Sequence, residues 1–470
     1  MSSLSQQARA IFSDAMRRVD IRRAMQQHLD CDGEQISLAD ATIPLHELDQ
    51  ILVLAVGKAA VPMYQAAHEV LRRASQLPRH AIVIAPEIPE APQEEIADGS
   101  FFPGPHPTPN ENSLHAAAAA LSLMHRATPR TAVLFLISGG ASAMMELPLD
   151  PYISLRDLAA FHRALVGSGL PIAQMNTLRK HLSAVKGGRL AQAAAVARLQ
   201  CTLLISDVPA ADLDAIGSGP SLPDTTTLAE CHALLAKLSA TAPPPANIAA
   251  FFSGPLCVET PKPTDPTFDR AHWRAILSSE DLAQAAADAA RAIGFHTEID
   301  SRCDEWEYRE AALYLLDRSA SLTHTHGRSC LISVGEVQVH LPATLPAVIP
   351  DAPPASVGEG GRNQHFALWT AAELARRGEH ATVLSAGSDG VDGRSTAAGA
   401  VCDTDSIARA SHLGFSVEAA LARFNSSPLL RALGDDIVTG PTGNNLRDLR
   451  LLLRDAPTDE PTHQIAPKSA

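Results

Sequence analysis

Short apolar segments that end in glycine, serine or aspartate recur along this chain of 470 residues, and helical patterns separate them. Continuous apolar segments of this length are typical of strands that are buried on both faces, as in parallel sheets. Strands that alternate with helices predict an α/β architecture. The segments are ILVLAVGKAA (51–60), HAIVIAP (80–86), AVLFLISGG (132–140), CTLLISDVP (201–209), CLISVGE (330–336) and ATVLSAGSDG (381–390).

The length of the chain and a proline-rich region predict two domains. A chain of this size exceeds what one ordinary hydrophobic core organises. The region from Ser239 to Thr267 is rich in proline and has little periodicity, so we place the break there. We predict two α/β domains, residues 1–250 and 268–460, and expect the first to contain a Rossmann-like, mainly parallel sheet. Helices are predicted at 58–74, 113–126, 188–198, 281–293, 308–324 and 363–377.

Charge and composition exclude several classes of protein. The formal net charge of −14 argues against a protein that binds nucleic acid through a basic face. No segment reaches the roughly 18 apolar residues of a membrane helix. The seven cysteines form no CxxC pair, which is typical of isolated thiols in a reducing compartment. We expect a soluble cytoplasmic protein without nucleic-acid or membrane partners, and a homodimer is compatible with the sequence.

A small-residue loop follows the apolar segment that ends at Ile137. It contains Ser138, Gly139, Gly140 and Ser142. Ligands of open α/β sheets bind at the carboxyl ends of strands. Small residues let backbone amides approach an anion closely, and the two serine hydroxyls add donors. A tight turn between a strand and a helix explains the same residues, so an anion-binding loop and a simple turn both stay open at this point.

Lysines lie near other predicted strand and helix ends. Lys58 follows a buried strand and opens a helix, where the helix N-terminus favours anions. The basic segment 174–191 carries Asn176 and Lys180 at helical spacing, with Lys186 following. These three side chains are candidates to bind an anionic substrate or nucleotide. The alternatives are an ordinary first-turn lysine and a solvated basic helix face.

Carboxylates and an arginine complete the set of candidate residues. Asp207 comes just after a strand, where it can orient a hydroxyl or hold Mg²⁺. Asp389 and Asp392 lie between glycines and suit Mg²⁺ or a phosphate–Mg²⁺ unit. Arg362 follows a glycine run, and its planar guanidinium suits a carboxylate or a phosphate. A turn is the alternative for each, and the segment 439–449 is predicted as one more such loop before a helix.

Together these residues have the composition that phosphoryl transfer requires. The transition state of that reaction carries distributed negative charge, so positioning and cationic stabilisation do most of the catalytic work. A nicotinamide-dependent reductase would instead need a dinucleotide fingerprint with a ribose-binding acid, and the sequence has no convincing one. A catalytically silent anion-binding protein is the third alternative.

Seven motifs occur in an order that resembles the class II glycerate 2-kinases with a C-terminal MOFRL-type domain. They are VGKAA, ISGGASAM, NTLRKHLSAVKGGRLA, SDVPAADLDAIGSGPS, GGRNQHFAL, SAGSDGVDG and TGPTGNNLRDL, and the resemblance covers about 51–452. It implies phosphorylation of D-glycerate to 2-phosphoglycerate with ATP and Mg²⁺, in a cleft between two α/β domains. It also implies active-site roles for Lys58 and Arg362, and leaves open whether Arg362 binds the glycerate carboxylate or the γ-phosphate.

The chain departs from the family pattern at a few positions. His365, Thr396 and Val337 stand where the family usually has glutamate, aspartate and threonine. A related hydroxy acid is therefore an alternative substrate. Some members of the family carry the older label hydroxypyruvate reductase, and NAD(P)H-dependent reduction of that compound is the rival activity. For the kinase, we expect Asp207 to orient the substrate hydroxyl and Asp389 or Asp392 to bind the metal.

Overall fold

The computed structural model describes residues 3–87, 99–105, 108–206, 210–341 and 358–456. The strands are β1 (Leu29–Cys31), β2 (Gln35–Leu38), β3 (Ala41–Pro44), β4 (Gln50–Val56), β5 (Arg79–Ala85), β6 (Gly99–Pro103), β7 (Thr131–Ile137), β8 (Leu199–Ser206), β9 (Ala271–Ser278), β10 (His296–Ile299), β11 (Ser329–Gly335), β12 (Thr382–Gly387), β13 (Gly399–Asp403), β14 (Asp436–Ile437) and β15 (Asp448–Arg454).

The α-helices are α1 (Leu4–Arg18), α2 (Ile21–His28), α3 (Ala60–Leu71), α4 (Glu111–Met124), α5 (Ala141–Met144), α6 (Leu155–Gly167), α7 (Ile172–Leu182), α8 (Arg189–Ala193), α9 (Leu228–Thr241), α10 (Ala246–Phe252), α11 (Ser279–Ala292), α12 (Tyr308–His326), α13 (Arg362–Arg377), α14 (Thr404–His412), α15 (Val417–Ala422) and α16 (Ser426–Leu433). Short 3₁₀ segments occur at Leu45–Glu47, Ala210–Ser218 and Pro266–Phe268. None of these helices is both long and apolar enough to cross a membrane.

The described residues form two compact units. The first unit comprises those within 20–278 together with 443–446, and the second those within 3–19, 279–442 and 447–456. In the first unit six strands form a parallel sheet in the order β6-β5-β4-β7-β8-β9, and β1, β2 and β3 form a small antiparallel sheet. Val56 of β4 lies opposite Ile137 of β7, so these neighbouring strands end at the same level.

The sheet of the first unit is buried because its central strands are apolar on both faces. Every residue of β7 and β8 is buried, and one hydrophobic core joins strand side chains such as Phe135 to α4, α5 and α8. A second core forms around Phe161 and Phe252, from α6, α7, α9 and α10. This packing fixes the strand ends that carry the polar loops.

The second unit contains a mixed sheet in the order β10-β11-β15-β12-β13-β14. Only β10 and β11 pair in parallel, and β15 runs antiparallel to both β11 and β12. Asp448, the first residue of β15, therefore lies opposite Gly335 and Gly387, the last residues of β11 and β12. The two α/β domains expected from the sequence are thus confirmed.

Several details of the sequence prediction are wrong. The apolar segments of β11 and β12 suggested parallel pairing, but burial on both faces does not determine strand direction, and antiparallel β15 separates them. The segment after the loop at 439–447 forms β15 rather than a helix. Its charged Arg450 and Arg454 concealed a fully buried strand, because both guanidinium groups find buried hydrogen-bond partners.

The units also differ from the predicted domains of residues 1–250 and 268–460. Residues 3–19 belong to the second unit, because α1 packs against α11, β12, β13 and β15. β9 belongs to the first unit because it pairs in parallel with β8. The proline-rich region 239–267 accordingly contains α10 and parts of the first unit's core rather than a boundary.

The position of α1 gives a testable expectation for Ile11, which is buried within the second unit. We expect Ile11→Ala to lower the free energy of unfolding by about 2–5 kcal/mol, because it leaves a cavity. Hydrogen exchange should accelerate in β12 and β13 and not in β4 and β7. Arg17→Ala, on the exposed face of α1, is the matched control. Faster exchange confined to β4 and β7 would contradict the placement of α1.

Candidate active site

Two loops of the first unit are hydrogen-bonded to each other at the carboxyl ends of β4 and β7. The backbone N–H of Lys58 donates to the carbonyl of Gly139 at 3.0 Å, and the N–H of Ala59 donates to Oγ of Ser138 at 3.0 Å. Ser138 is fully buried. We call these two segments, residues 57–59 and 138–142, the paired loops. They place the half-buried Lys58 beside the small-residue loop.

The paired loops require glycine at position 57. Gly57 has φ +121°, and a Cβ there would lie 2.5 Å from the carbonyl oxygen of Ser138. A side chain would be strained by the backbone angle and would also separate the two loops. Gly140 has φ +86° and directly precedes α5. The small residues of this loop therefore have a steric reason, whichever ligand the loop binds.

A chain of polar contacts runs from the paired loops to α7. Oγ of Ser142 and Oγ of Ser218 are 2.9 Å apart, and Ser218 donates to Oδ1 of Asn176 at 3.2 Å. The same Oδ1 accepts a hydrogen bond from Nη1 of Arg179 at 3.2 Å. Two predicted binding residues, Ser142 and Asn176, are thus brought together, and Arg179 joins them.

Lys186 is buried in an ion pair. Its ammonium group contacts the carboxylate of Glu146, and both side chains are almost inaccessible to solvent. Nε2 of His162 lies 3.4 Å from Oε2 of Glu146. Burial alone would raise the pKa of Glu146, but the charge of Lys186 and the contact with His162 lower it to about 2. Glu146 therefore stays ionised and neutralises the lysine that the sequence predicted to bind an anion.

Lys180 is engaged in the same manner. Its Nζ lies 2.6 Å from Asp214 and 3.1 Å from Asp224, and Asp224 is fully buried. Burial would raise the pKa of Asp224, but Lys180 and the Thr260 and Thr226 hydroxyls keep it below its ordinary value. Its two carboxylate partners give Lys180 a structural role that the sequence pattern did not indicate.

In the second unit, Arg362 opens α13 and contacts two carboxylates. Its Nε donates to Asp448 at 2.6 Å, and its Nη2 lies 2.8 Å from Glu336. Burial opposes its charge, but Asp448 and Glu336 hold the pKa of the guanidinium above its usual value. Because Asp448 starts β15 between the ends of β11 and β12, the mixed sheet itself determines where Arg362 lies.

Asp392 binds the first turn of α13. Its Oδ1 accepts from the backbone N–H of Asn363 at 3.0 Å, and its Oδ2 accepts from the N–H of Gln364 at 2.8 Å. It thus satisfies two N–H groups that have no partner within the helix. Burial raises its pKa to about 7, although these two amides oppose the rise and Asp448 adds to it.

The other candidates have different surroundings. Asp389 is half-buried, and its Oδ1 accepts from the N–H of Val391 at 3.1 Å. A Cβ on Gly387 would lie 3.1 Å from Oδ1 of Asp389 and 3.4 Å from Oδ1 of Asp448, so these two carboxylates flank one glycine. Within the ranges that the structure describes, no three His, Cys, Asp or Glu side chains gather in a way that could hold a metal. Asp207 lies outside the described residues.

His365, one of the departures from the family pattern, packs among aromatic rings. It lies 4.7 Å from the ring of Tyr308 and stacks on Phe424 at 4.9 Å. Burial lowers its pKa to about 4, so the imidazole is neutral at pH 7. Its surroundings indicate a packing role one turn after Arg362.

Sequence reasoning missed the partners of the cationic residues. Glu146, Asp224, Asp448 and Glu336 balance Lys186, Lys180 and Arg362, yet none of these carboxylates stood out in the sequence. Asp448 immediately follows Arg447 in the predicted loop, and Glu336 immediately follows the β11 segment. The position of Glu336 next to a predicted strand end was a signal, whereas Asp448 lay in a segment predicted as a loop before a helix and gave none.

Comparisons with known proteins identify the family of this chain. A domain of unknown function, DUF4147, matches residues 7–253, and the MOFRL family matches residues 329–448. A D-glycerate 2-kinase of Thermotoga maritima is 32% identical over 413 residues, which cover 87% of this chain and 91% of that protein. The chain belongs to the glycerate kinase family.

Other members of the glycerate kinase family are similar over nearly their whole length. A glycerate 2-kinase of Pyrococcus horikoshii is 28% identical over 93% of this chain and 94% of that protein. The crystal structure of a glycerate kinase from Thermotoga maritima matches with a TM-score of 0.77 and 30% identity, over 96% of this chain and 99% of that one. A relative from Agrobacterium vitis, 36% identical over 74% of this chain and 76% of its own length, bears the provisional name hydroxypyruvate reductase.

The close approach at Gly57 predicts a large effect of a single methyl group. We expect Gly57→Ala to abolish most activity and to lower the thermal midpoint, because Cβ would collide with Ser138. Gly167→Ala, which adds a methyl group where no atom lies within 4 Å, should change neither quantity appreciably. Wild-type activity and stability in Gly57→Ala would show that the loops need not pair.

The Lys186–Glu146 pair predicts a pH-dependent contribution to stability. Glu146 titrates near 2 in the fold against an ordinary value of 4.5, so its stabilisation is complete above about pH 5 and is lost as the pH falls toward 2. Glu146→Gln should cost about 3–5 kcal/mol at pH 7, because it leaves a buried unpaired lysine, and progressively less at lower pH. Urea unfolding across this range measures it, with exposed Glu111→Gln as control. A difference that is independent of pH would contradict the ion pair.

Proposed function

We propose that the protein is an ATP-dependent kinase that phosphorylates D-glycerate to 2-phosphoglycerate. Membership of the glycerate kinase family supports this proposal, and so do the named activities of its relatives. The observation that carries it is the hydrogen bonding of the Lys58 segment to the Ser138–Gly140 segment at the ends of adjacent parallel strands. That edge of a parallel sheet is where α/β proteins bind their ligands.

Lys58 and the paired loops are proposed to stabilise the phosphoryl group during transfer. The ammonium group of Lys58 supplies a full positive charge beside backbone amides of a small-residue loop. Such fixed donors favour the distributed negative charge of the transition state more than the ground state. Arg362, whose guanidinium has five N–H donors, retains donors beyond those used by Asp448 and Glu336. We assign it to an anionic oxygen of the reacting groups.

The attacking hydroxyl is proposed to lose its proton to Asp207, which directly follows Ser206 at the end of β8. The substrate oxygen forms a bond to the γ-phosphorus of ATP as the bond to the β-phosphate oxygen breaks, and ADP leaves. This role rests on the sequence position of Asp207 next to a strand end. Asp207→Asn should therefore reduce turnover more than it reduces substrate binding.

Of the two candidate metal ligands, Asp389 and Asp392, we retain one. When bound, Mg²⁺ neutralises charge on the β- and γ-phosphates of the nucleotide. Both oxygens of Asp392 accept hydrogen bonds from α13, so this carboxylate fits poorly as a direct ligand. We propose Asp389 as the protein ligand, since Mg²⁺ in kinases is bound through one or two carboxylates together with phosphates and water.

A coupled assay of ADP release tests the proposed kinase. We expect release to depend on D-glycerate, and Lys58→Ala and Arg362→Ala each to lower kcat by about 100-fold or more, as removing a preorganised cation does. Lys237→Ala, an exposed lysine of α9 in the same unit as Lys58, is the control and should behave as wild type. Phosphorus NMR of the product distinguishes 2-phosphoglycerate from 3-phosphoglycerate.

The same preparation decides between the rival activities. Oxidation of NADH by hydroxypyruvate, without glycerate-dependent ADP release, would replace the kinase by a reductase. Binding of ATP and glycerate without turnover would favour a catalytically silent protein. Full turnover in both alanine variants would leave the kinase in place and overturn the assignment of its residues.

A further inference from the structure

Arg179 is a half-buried cation of the first unit that no carboxylate contacts in the described part of the chain. Its Nη1 donates to Asn176, whereas its buried Nε has no hydrogen-bond partner among the described residues. Nη2, which lies on the same edge of the guanidinium as Nε, makes no hydrogen bond within these ranges either. An arginine donates to a carboxylate through two parallel N–H groups, and this edge provides such a pair.

The carboxylates in the neighbourhood of Arg179 pair with other cations. Burial lowers the pKa of Arg179 and the charge of Glu146 opposes this, but the carboxylate of Glu146 already pairs with Lys186. Lys180, the next residue along α7, has Asp214 and Asp224 as partners. Arg179, Lys180 and Lys186 bring three positive charges, and Glu146, Asp214 and Asp224 bring three negative ones. Among these three cations, Arg179 is the one without a direct carboxylate partner in the described ranges. An anionic ligand at Arg179 would supply that partner.

The position of Arg179 connects it to the proposed active site. Asn176 accepts from both Arg179 and Ser218, and Ser218 contacts Ser142 of the paired loops. Asn176 thereby holds Nη1 in place, and the Nε–Nη2 edge has no hydrogen-bond partner among the described residues. Three hydrogen-bonded steps thus separate this edge from the loop that lies beside Lys58.

We propose that Arg179 binds the carboxylate of the hydroxy-acid substrate, positioned by Asn176. The proposal rests on the proposed function, because it assigns one end of the substrate of that kinase. The planar two-oxygen group of a carboxylate matches the two parallel donors of the Nε–Nη2 edge, and its negative charge complements the guanidinium. Recognition by this pair would select 2-hydroxy acids over uncharged polyols and amides of the same size.

Steady-state kinetics with Arg179→Gln and Arg179→Lys test the proposal. Both variants lose the two parallel donors, and we expect KM for D-glycerate to rise about 10- to 100-fold, with KM for ATP within about twofold of wild type. The preference for D-glycerate over uncharged D-glyceramide should fall by a similar factor in Arg179→Gln. Calorimetric titration with D-glycerate provides a readout that does not depend on turnover. If Arg179→Gln does not fold, the KM for D-glycerate of Arg179→Lys, which keeps the positive charge, tests the proposal.

Arg189→Gln is the matched control. Arg189 is a buried arginine of the first unit whose Nη2 donates to the carbonyl of Val258 and whose Nε, like that of Arg179, has no partner among the described residues. It differs from Arg179 in that no described side-chain hydrogen bond joins it to Asn176 or Ser218. It should keep KM for D-glycerate near that of wild type. A rise in KM for ATP alone would overturn the proposal and assign Arg179 to a nucleotide phosphate. Equal losses in Arg179→Gln and Arg189→Gln, at unchanged KM, would reduce Arg179 to a structural role. Wild-type protein without glycerate-dependent ADP release would instead refute the proposed function itself.

Discussion

The contact between Gly57 and Ser138 is the constraint on which the first unit's candidate site depends. β4 and β7 are neighbours in the parallel sheet and end at the same level, so the loops that follow them must share a small volume. A glycine with positive φ lets the two backbones meet, and hydrogen bonds from Lys58 and Ala59 then join them. Lys58 owes its position to this close approach rather than to a helix terminus, since α3 begins only at Ala60.

Burial determines which cations remain available to a ligand. Lys180 and Lys186 are buried beside carboxylates. The cost of burying an unpaired charge explains why each lysine has a carboxylate partner. Their ion pairs hold α7, which also carries Arg179, and the segment that follows it. Both lysines that the sequence marked as binding candidates are thus ion-paired, whereas Nε of Arg179, on the same helix as Lys180, has no hydrogen-bond partner among the described residues.

The sequence was informative wherever local pattern determines structure. It located β4, β7 and β8, the paired loops that follow two of them, and the start of α13 to within a residue. It failed where the result depends on pairing between distant segments. No local sequence pattern indicates that β15 pairs with both β11 and β12, so Asp448 could not be recognised as the partner of Arg362. The same limit hid the carboxylates that neutralise Lys180 and Lys186, and the addition of β9 to the first sheet.

Asp389 and Asp392 show why the spacing of carboxylates does not by itself define a metal site. The two side chains are three residues apart between glycines, yet one is half-buried and the other is buried against the N-terminal amides of α13. A carboxylate that satisfies helix N–H groups fixes the direction of that helix, and α13 carries Arg362 as its first residue. Asp392 therefore supports the start of α13, where Arg362 lies, whereas Asp389 accepts a hydrogen bond from Val391 within its own loop. The difference arises from burial, which the sequence motif does not encode.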